Sequence, residues 1–286
     1  MVSLLVYVDG EFVSREHTAV SVFDRSFLYG DGLFETVRAY RGVPFLLKEH
    51  LDRMAGSAAE LDMAMPDKAR VREAVAELIR RNGLADAYVR VTLSRGLHGG
   101  ALWPEERLGP RLVIEARAVH PYPAELYARG ALVVTSAIRH DSASAVRRHK
   151  TTSYITNVLA KREAREQGSD EAILLDHDGD VAEGATSNVF CVRGGAVLTP
   201  PLEMNILPGV TRAAVIGLAQ DAGLSVREER FGLAELQSAD EVFLTNSLME
   251  VMPVRSVDGR ELSNTPGVTT RALMAAYHRL TASCQA

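Results

Sequence analysis

Apolar residues along this chain recur at two spacings, one typical of strands and one typical of helices. Alternation and short apolar runs predict strands at residues 4–13, which read as a hairpin, and at 33–40, 42–47, 87–96, 111–119, 131–138, 171–179, 181–194, 196–201 and 241–247. Apolar residues near every third or fourth position predict helices at 48–63, 66–83, 152–168, 208–223, 232–239 and 269–280. Short strands outnumber helices and do not alternate strictly with them, so the pattern favours an α+β fold over a doubly wound parallel sheet.

One stretch between the predicted strands at 111–119 and 131–138 is suited to join two domains. It reads VHPYPAELYARG and carries two prolines within three residues. Prolines at this density interrupt regular structure. The sequence therefore predicts a connector near residues 117–125.

Composition describes an ordinary soluble globular protein. The 286 residues are 47% hydrophobic and 24% charged, and the net charge of −5 argues against a nucleic-acid surface. Two cysteines, at positions 191 and 284, cannot build a disulfide framework and indicate a reducing cytoplasm. The start of the chain, MVSLLVYVDGEFV, lacks a basic region and turns at Asp9-Gly10, which favours a hairpin over a signal peptide. No apolar run approaches the roughly 18 residues of a membrane span.

Several kinds of chemistry have no motif in this chain. There is no GxxxxGK[ST] phosphate loop and no GxSxG nucleophile turn, and the eight histidines show no metal-ligand spacing. The segment YGDGLFE has a Gly-x-Gly pair without a third glycine opening a helix, so a dinucleotide site is poorly supported.

Lysine is rare here, with four lysines among 32 basic residues. Lys48, Lys68 and Lys161 lie in charged helix patterns, where a solvated surface role is expected. Lys150 differs because it follows the basic residues 147–149 and precedes an apolar helix pattern. Neighbouring cations and partial burial both favour a neutral amine, the form that makes a Schiff base. A basic loop before a helix is the alternative reading of this stretch alone.

Three further segments bear on Lys150. Residues 208–211, Pro-Gly-Val-Thr, open an apolar helix whose free N–H groups could cup a phosphate, although a simple capped turn fits equally well. Glu183 is expected in a glycine-containing turn followed by the hydroxyls of Thr186 and Ser187, and it could be an exposed turn residue. Residues 245–247, Thr-Asn-Ser, form a second small polar loop after a strand.

Together these stretches resemble the fold-type IV (class IV) pyridoxal-phosphate aminotransferases, which include branched-chain aminotransferase, D-amino acid aminotransferase and 4-amino-4-deoxychorismate lyase. The matching segments are FDRSFLYGDGLFETVRAY, EHLDRM, KTTSYITNVLAKREA, EAILLD, VAEGATSNVF, ILPGVTR and ADEVFLTNSLMEVMPV. Their order and spacing fit nearly the whole chain. The resemblance therefore implies a pyridoxal 5′-phosphate (PLP) cofactor and an enzyme.

The resemblance implies a role for each matching residue. Lys150 would hold PLP as a Schiff base and shuttle a proton between the substrate α-carbon and the cofactor. Glu183 would face the pyridine nitrogen and keep it protonated, so that the ring accepts electrons. The remaining implied cofactor contacts are Arg53 with the phosphate, Val210, Thr211 and Ser247 in the phosphate cup, Leu207 beneath the ring, Tyr154 near the phenolic oxygen, and Thr186.

The resemblance also implies an architecture. It consists of a small N-terminal α/β domain at 1–117, a connector at 118–125, and a larger barrel-like α+β domain at 126–286. The cofactor would lie at the interface between the domains. The family is homodimeric, and a loop of the partner would reach into the pocket. Amino acids and 2-oxo acids are the implied small-molecule partners, with no nucleic acid and no membrane.

The reaction within the family is less sharply indicated. TTSY after Lys150 has the shorter spacing of the D-amino acid and lyase branches and lacks the GNY motif of branched-chain enzymes. AYVRV, however, resembles the branched-chain pattern, and its Tyr88 and Arg90 share one strand face. D-amino acid enzymes usually trap the substrate carboxylate with an Arg-x-His pair. Arg95 and His98 have the wrong order and spacing for that, so Arg90 becomes the first candidate.

Features of the pocket leave the lyase as an alternative. GLFET places Phe34 and Thr36 in the implied substrate pocket, with Thr36 where the lyase has its threonine, although threonine is also common in strands. Asn246 resembles the lyase loop, or is a turn residue. The sequence thus predicts an aminotransferase, with D-amino acids favoured over branched-chain L-amino acids. The lyase and a PLP-binding protein without turnover are the alternatives.

Overall fold

The structure, a computed structural model, describes residues 4–97, 99–103, 108–263 and 265–283. The chain divides into two compact units. The first unit comprises Met1–His120, His149–Tyr154 and Ala282–Ala286, and the second comprises Pro121–Arg148 and Ile155–Thr281. The short segment that carries Lys150 therefore belongs to the first unit, although it lies far along the chain. The residues His98 and Cys284, considered above, lie outside the described residues.

The first unit contains an antiparallel sheet with strand order β2-β1-β6-β5-β3-β4. Its elements are β1 (Leu5–Val8), β2 (Glu11–Ser14), α1 (Arg25–Tyr29), β3 (Gly32–Tyr40), β4 (Val43–Pro44), α2 (Leu47–Glu60), α3 (Lys68–Arg81), β5 (Ala87–Ser94) and β6 (Arg111–Ala118). Helices α2 and α3 cover one face of the sheet and bury an apolar core between helices and strands. The other face bears the alternate side chains of β3 and β5, which include Phe34, Thr36, Tyr88 and Arg90.

Local patterns account for most of these elements. In α3, Val71, Val75 and Leu78 recur at helical spacing and are fully buried, and Asp67 caps the first turn by accepting from the N–H of Ala69 at 2.7 Å. The strand predicted at 42–47 is shorter, ending at Pro44. Leu46 adopts a left-handed conformation with φ of 50°, which ends the strand and leads directly into α2.

The second unit contains a mixed nine-stranded sheet with the order β12-β11-β10-β13-β14-β7-β8-β9, and β15 pairs with β14. Its elements are α4 (Ala124–Arg129), β7 (Ala131–Arg139), α5 (Ile155–Glu166), β8 (Glu171–Leu175), β9 (Val181–Gly184), β10 (Asn188–Arg193), β11 (Ala196–Thr199), α6 (Val210–Asp221), β12 (Val226–Glu228), α7 (Leu233–Gln237), β13 (Glu241–Asn246), β14 (Glu250–Val257), β15 (Arg260–Glu261) and α8 (Val268–Ala282).

This sheet curls on itself. Strand β9 ends the strand order on one side and β10 is third from the other side, yet only residues 185–187 connect them. Within that connection the N–H of Gly184 donates to the carbonyl of Ser187 at 2.7 Å. The predicted α+β fold is confirmed, and the strand predicted at 181–194 is two strands joined by this turn. In the described part of the chain, no helix has the length and apolar character that crossing a membrane requires.

Candidate functional site

Lys150 is held in an extended segment beside the start of β3. Its carbonyl accepts from the N–H of Phe34 at 2.9 Å, and Thr152 donates to the carbonyl of Gly32 at 2.8 Å. The helix predicted from residue 152 therefore begins only at Ile155, because residues 150–152 pair with a strand more than 100 positions earlier in the chain. The backbone on both sides of the lysine is thus fixed by the sheet of the first unit.

The Lys150 amine lies against two aromatic rings. Its Nζ is 4.5 Å from the ring centre of Phe34 and 5.3 Å from that of Tyr154. These two rings pack edge to face with centres 5.2 Å apart, and Phe34 is buried. The amine thus lies beside both rings of a packed aromatic pair, a placement that suits a group that must attack one defined carbonyl.

Arg53 lies on α2 and grips a buried carboxylate that the sequence patterns did not single out. Its Nε and Nη2 donate to the two oxygens of Glu35 at 2.8 and 2.5 Å. His50 approaches the same carboxylate at 2.7 Å. Burial alone would raise the pKa of Glu35, but the charge of Arg53 and the hydrogen bonds from His50 and Arg53 lower that pKa to about 2. Glu35 therefore stays ionised and fixes the guanidinium predicted to hold a phosphate.

The predicted substrate residues lie together on the open face of the same sheet. Thr36 is directly opposite Arg90 in the β3–β5 register. The guanidinium carbon of Arg90 lies 3.8 Å from the ring centre of Phe34, and Tyr88 stacks against Arg117 of β6. A groove of about 310 Å³ opens beside Arg90, lined by apolar residues of β1 and β6, by the threonines at 18 and 92, and by Arg15, Arg90, Arg117 and the carboxylate Glu115. Of the predicted substrate residues described here, Arg90 lines this groove, and it lies opposite Glu115 in the β5–β6 register.

Arg95, weighed earlier as a carboxylate trap, has a structural role. Its Nε donates to Asp31, and its two terminal nitrogens donate to the carbonyls of Leu61 and Asp62 at 2.9 and 2.8 Å. These contacts bury the guanidinium and tie the end of α2 to the start of β3. Arg90, on the open face, is the better candidate for a substrate carboxylate.

In the second unit, Glu183 lies within β9 and is 6% exposed, so the expectation of an exposed turn residue is wrong. Its Oε2 accepts from the N–H of Leu207 at 3.1 Å. Its Oε1 lies 3.6 Å from Nδ1 of His140 and 3.8 Å from Nη2 of Arg147. A carboxylate held by groups on both oxygens can keep a fixed orientation toward a cationic nitrogen.

The start of α6 is the segment predicted to form a phosphate cup. The helix begins at Val210, and no side chain of the described residues caps Gly209. A Cβ at Gly209 would lie 2.0 Å from Oδ1 of Asn188, whose amide donates to the carbonyl of Leu207 at 2.9 Å, so only glycine fits here. Thr211 is buried in the first turn. Uncapped N–H groups and a hydroxyl at a helix start fit a phosphate, and the site is therefore compatible with PLP.

Side-chain hydrogen bonds stabilise the turn at residues 185–187. The hydroxyl of Thr186 donates to the buried carboxylate of Glu171 at 2.6 Å, and Asn246 donates to the carbonyl of Thr186 at 3.0 Å. The Oδ1 of Asn246 also accepts from two N–H groups of its own turn, which supports the turn interpretation of this residue. Ser247 follows it, half-buried. The Thr186 hydroxyl thus serves the turn, and its predicted cofactor contact remains a prediction.

Lys161 is anchored on the surface of the second unit. Its ammonium donates to the carbonyl of Asp170 at 2.7 Å and lies 3.4 Å from Glu171. Lys48 and Lys68 both pair with the exposed carboxylate of Asp52. Of the four lysines, only Lys150 has its amine against aromatic rings in the described residues.

Comparison with known proteins identifies relatives of the whole chain. The family described as amino-transferase class IV matches residues 32–257. A Methanocaldococcus jannaschii protein assigned to the branched-chain-amino-acid aminotransferases is 41% identical over 91% of this chain and 90% of its own. The aminodeoxychorismate lyase of Bacillus subtilis is 33% identical over 96% of this chain and 94% of its own. The D-alanine aminotransferase of Staphylococcus epidermidis is 32% identical over 96% of this chain and 96% of its own.

The fold comparison agrees with the sequence comparison. The crystal structure of the branched-chain amino acid aminotransferase of Escherichia coli matches with a TM-score of 0.92 and 32% identity, over 99% of this chain and 96% of that one. The similarity therefore extends over both units and over all of the residues described above.

Proposed function

Because this chain belongs to the class IV aminotransferases, we propose that it transfers an amino group between a neutral amino acid and a 2-oxo acid, with Lys150 as the lysine that holds the cofactor. The cofactor of this family is pyridoxal 5′-phosphate. The observation that carries the proposal is the amine of Lys150, fixed by β3 and pressed against the rings of Phe34 and Tyr154.

The chain's own groups divide the work. PLP supplies the electron sink that makes the substrate α-carbon acidic. Lys150 holds the cofactor and moves the proton at that carbon. Glu183 keeps the pyridine nitrogen protonated. The start of α6, with Leu207, Val210 and Thr211, would hold the phosphate and ring, and Arg53 and Ser247 would each bind the phosphate.

For the substrate, branched-chain L-amino acids are the first candidate. The highest identity quoted above, 41%, is to a protein of that assignment. Tyr88, Arg90 and Phe34 share the open sheet face, where the guanidinium of Arg90 lies against the ring of Phe34. Arg90 would bind the substrate carboxylate, because a guanidinium grips two oxygens at once.

D-amino acids are the second candidate. The TTSY segment after Lys150 lacks the GNY motif of branched-chain enzymes, and a D-alanine aminotransferase is among the relatives at 32% identity. The lyase reaction is supported by Thr36, which lies opposite Arg90 in the β3–β5 register, and by the B. subtilis relative at 33% identity.

A screen of half-reactions separates these candidates. The holoenzyme is mixed separately with L-leucine, D-alanine and aminodeoxychorismate, and the cofactor band and 4-aminobenzoate are followed. Bleaching of the band by L-leucine supports the first candidate, and bleaching by D-alanine alone supports the second. An unchanged band with both, together with released 4-aminobenzoate, would assign the lyase reaction instead.

The lysine itself is tested by a matched pair of variants. Lys150→Ala should lack the absorption band of the Schiff base between the lysine and the cofactor, the band that borohydride reduction removes. Lys48→Ala should retain it, because that ammonium is exposed and pairs with Asp52. A normal band in Lys150→Ala would refute the assignment.

A homodimer is proposed from exposed apolar side chains of the first unit. Phe27 and Trp103 are 70% and 61% exposed. Their segments are joined because Arg25, beside Phe27, donates to the carbonyls of Ala101 and Leu102. The exposed apolar residues of this patch are Val20, Val22, Phe23, Phe27, Leu28, Tyr29, Leu97, Leu102 and Trp103. A patch this size favours association with a second copy of the chain. The cytoplasmic location stays a prediction.

A further inference from the structure

His140 is a fully buried imidazole behind Glu183 that no role above uses. It follows β7 directly and has no exposed surface. Its backbone N–H donates to the carbonyl of Leu175 at 2.8 Å, which fixes it against β8. Its ring nitrogen Nε2 lies 2.8 Å from the carbonyl of Met204. The residue is therefore held at two points within the second unit, one on its backbone and one on its ring.

These contacts determine where the ring carries its hydrogen. A carbonyl oxygen only accepts, so Nε2 must be the nitrogen that donates to Met204. In the neutral ring, Nδ1 then carries a lone pair. Nδ1 is buried and has no hydrogen-bond partner among the described residues. It points toward Oε1 of Glu183, 3.6 Å away. This distance is longer than a hydrogen bond, so the polar edge of the ring faces the carboxylate without bonding to it.

The pKa of His140 is lowered from its ordinary value, with opposing contributions from its surroundings. Burial lowers the pKa of His140, and Arg147 lowers it further, while the hydrogen bond to Met204 and the charges of Asp176 and Asp141 raise it. Glu183 adds a carboxylate on the Nδ1 side, and Arg147 lies 3.8 Å from the same oxygen of Glu183. The ring and the guanidinium thus approach one oxygen, and the N–H of Leu207 holds the other.

We propose that His140 is a positioning residue for Glu183: the Nδ1 edge of its fixed ring lies against Oε1 and, together with Arg147 and the N–H of Leu207, keeps the carboxylate in the orientation that faces the cofactor. The inference rests on the proposed function, because Glu183 is taken to act on the pyridine nitrogen. It adds a residue that reaches no substrate or cofactor itself and acts through Glu183 alone.

Two substitutions separate this role from simple packing. Asparagine places an amide where Nδ1 was, so His140→Asn keeps a polar group toward Glu183 and loses the contact with Met204. Glutamine places its amide where Nε2 was, so His140→Gln keeps the Met204 contact and loses the group facing Glu183. His177→Gln, at an exposed histidine in the turn after β8, is the control.

The holoenzymes are titrated with pH while the absorption band of bound PLP is followed, and the dissociation constant of PLP is measured by dialysis. We expect His140→Gln to shift the midpoint of the pH titration of the absorption band by about one pH unit. We also expect it to weaken PLP binding roughly tenfold. His140→Asn and His177→Gln should stay close to the wild type. Unchanged values in both His140 variants, equal shifts in both, or a shift in the asparagine variant alone would overturn the proposal.

A second measurement covers the case in which the His140 variants do not fold. In a nitrogen-15 histidine spectrum of the holoenzyme, Glu183→Ala should move the Nδ1 signal of His140, whereas Glu229→Ala, at an exposed carboxylate, should not. An unmoved signal would refute the contact between His140 and Glu183. If the wild type forms no borohydride-sensitive band, the proposed function fails instead, and the two failures are thereby distinguished.

Discussion

Arg53 and Glu35 form a two-point ion pair inside the first unit, from Nε to Oε1 at 2.8 Å and from Nη2 to Oε2 at 2.5 Å. His50 contacts the same carboxylate at 2.7 Å. The pair joins α2 to β3, and β3 is also the strand that holds Lys150. An arginine placed in this way loses little further side-chain entropy when it binds an anion.

This pair predicts a pH dependence of stability. The pKa of Glu35 is lowered to about 2, so its contribution is present in full above the ordinary value near 4.5 and is lost as the pH falls from there toward 2. The expected contribution at pH 7 is about 3 kcal/mol. Urea unfolding at pH 7 and pH 3 measures it. Glu35→Gln should be less stable at pH 7 and should lose less stability on acidification than the wild type.

The control for that prediction is Glu49→Gln, which removes an exposed carboxylate from the same helix. It should follow the wild type at both pH values. Equal acid sensitivity of Glu35→Gln and the wild type would show that Glu35 does not carry the effect.

Gly209 gives a prediction about the anion site. Gly209→Ala would place a Cβ 2.0 Å from Oδ1 of Asn188 and must displace the start of α6. PLP binding should weaken at least tenfold, by our estimate of about 1.4 kcal/mol or more for misplaced N–H groups. Equilibrium dialysis with PLP checks this.

Gly217→Ala in the same helix is the matched control, because a Cβ there meets no atom within 4 Å. Alanine is the better helix former, so this variant should be more stable by roughly 0.5–1 kcal/mol and should bind PLP normally. Equal PLP affinity in both variants would argue against α6 as the phosphate site.

Local patterns predicted much of the fold, and contacts distant in sequence account for what they did not predict. Helix α3 and the β1–β2 hairpin follow from spacing, a capping Asp67 and the Asp9-Gly10 turn. The late start of α5 does not follow from local spacing, because the backbone of residues 150–152 forms hydrogen bonds with β3. Helix propensity is a local property and does not reveal a hydrogen-bond partner that lies so far away in the sequence.

The candidate site shows the same division. Lys150 and the start of α6 were predicted from neighbouring residues, and Glu183 from its matching segment; their roles stay predictions. Glu35 and His140 were missed because each is defined by partners on other elements, namely Arg53 and Glu183. The sequence does hold one indication of Glu35, because it is a carboxylate at a position of β3 whose neighbours on the same face are apolar and buried.

Arg90 predicts a change in substrate binding without a change in cofactor binding. Arg90→Gln removes the charged fork beside Phe34. If Arg90 binds the substrate carboxylate, kcat/KM should fall roughly 10- to 100-fold, the size of a lost hydrogen bond to a charged group. The PLP band and its dissociation constant should not change. Arg70→Gln, at an exposed residue of α3, is the control, and unchanged kcat/KM in Arg90→Gln would assign the carboxylate to another group.

The exposed apolar patch of the first unit predicts a dimer that one charge can dissociate. Phe27 is 70% exposed on α1, and a carboxylate there would be buried without a partner if a second copy covers the patch. Phe27→Asp should therefore elute as a monomer in size-exclusion chromatography with light scattering, where the wild type is dimeric. Val268→Asp, at an exposed apolar residue of α8, should remain dimeric. A monomeric wild type, or a dimeric Phe27→Asp, would show that this surface is not the interface.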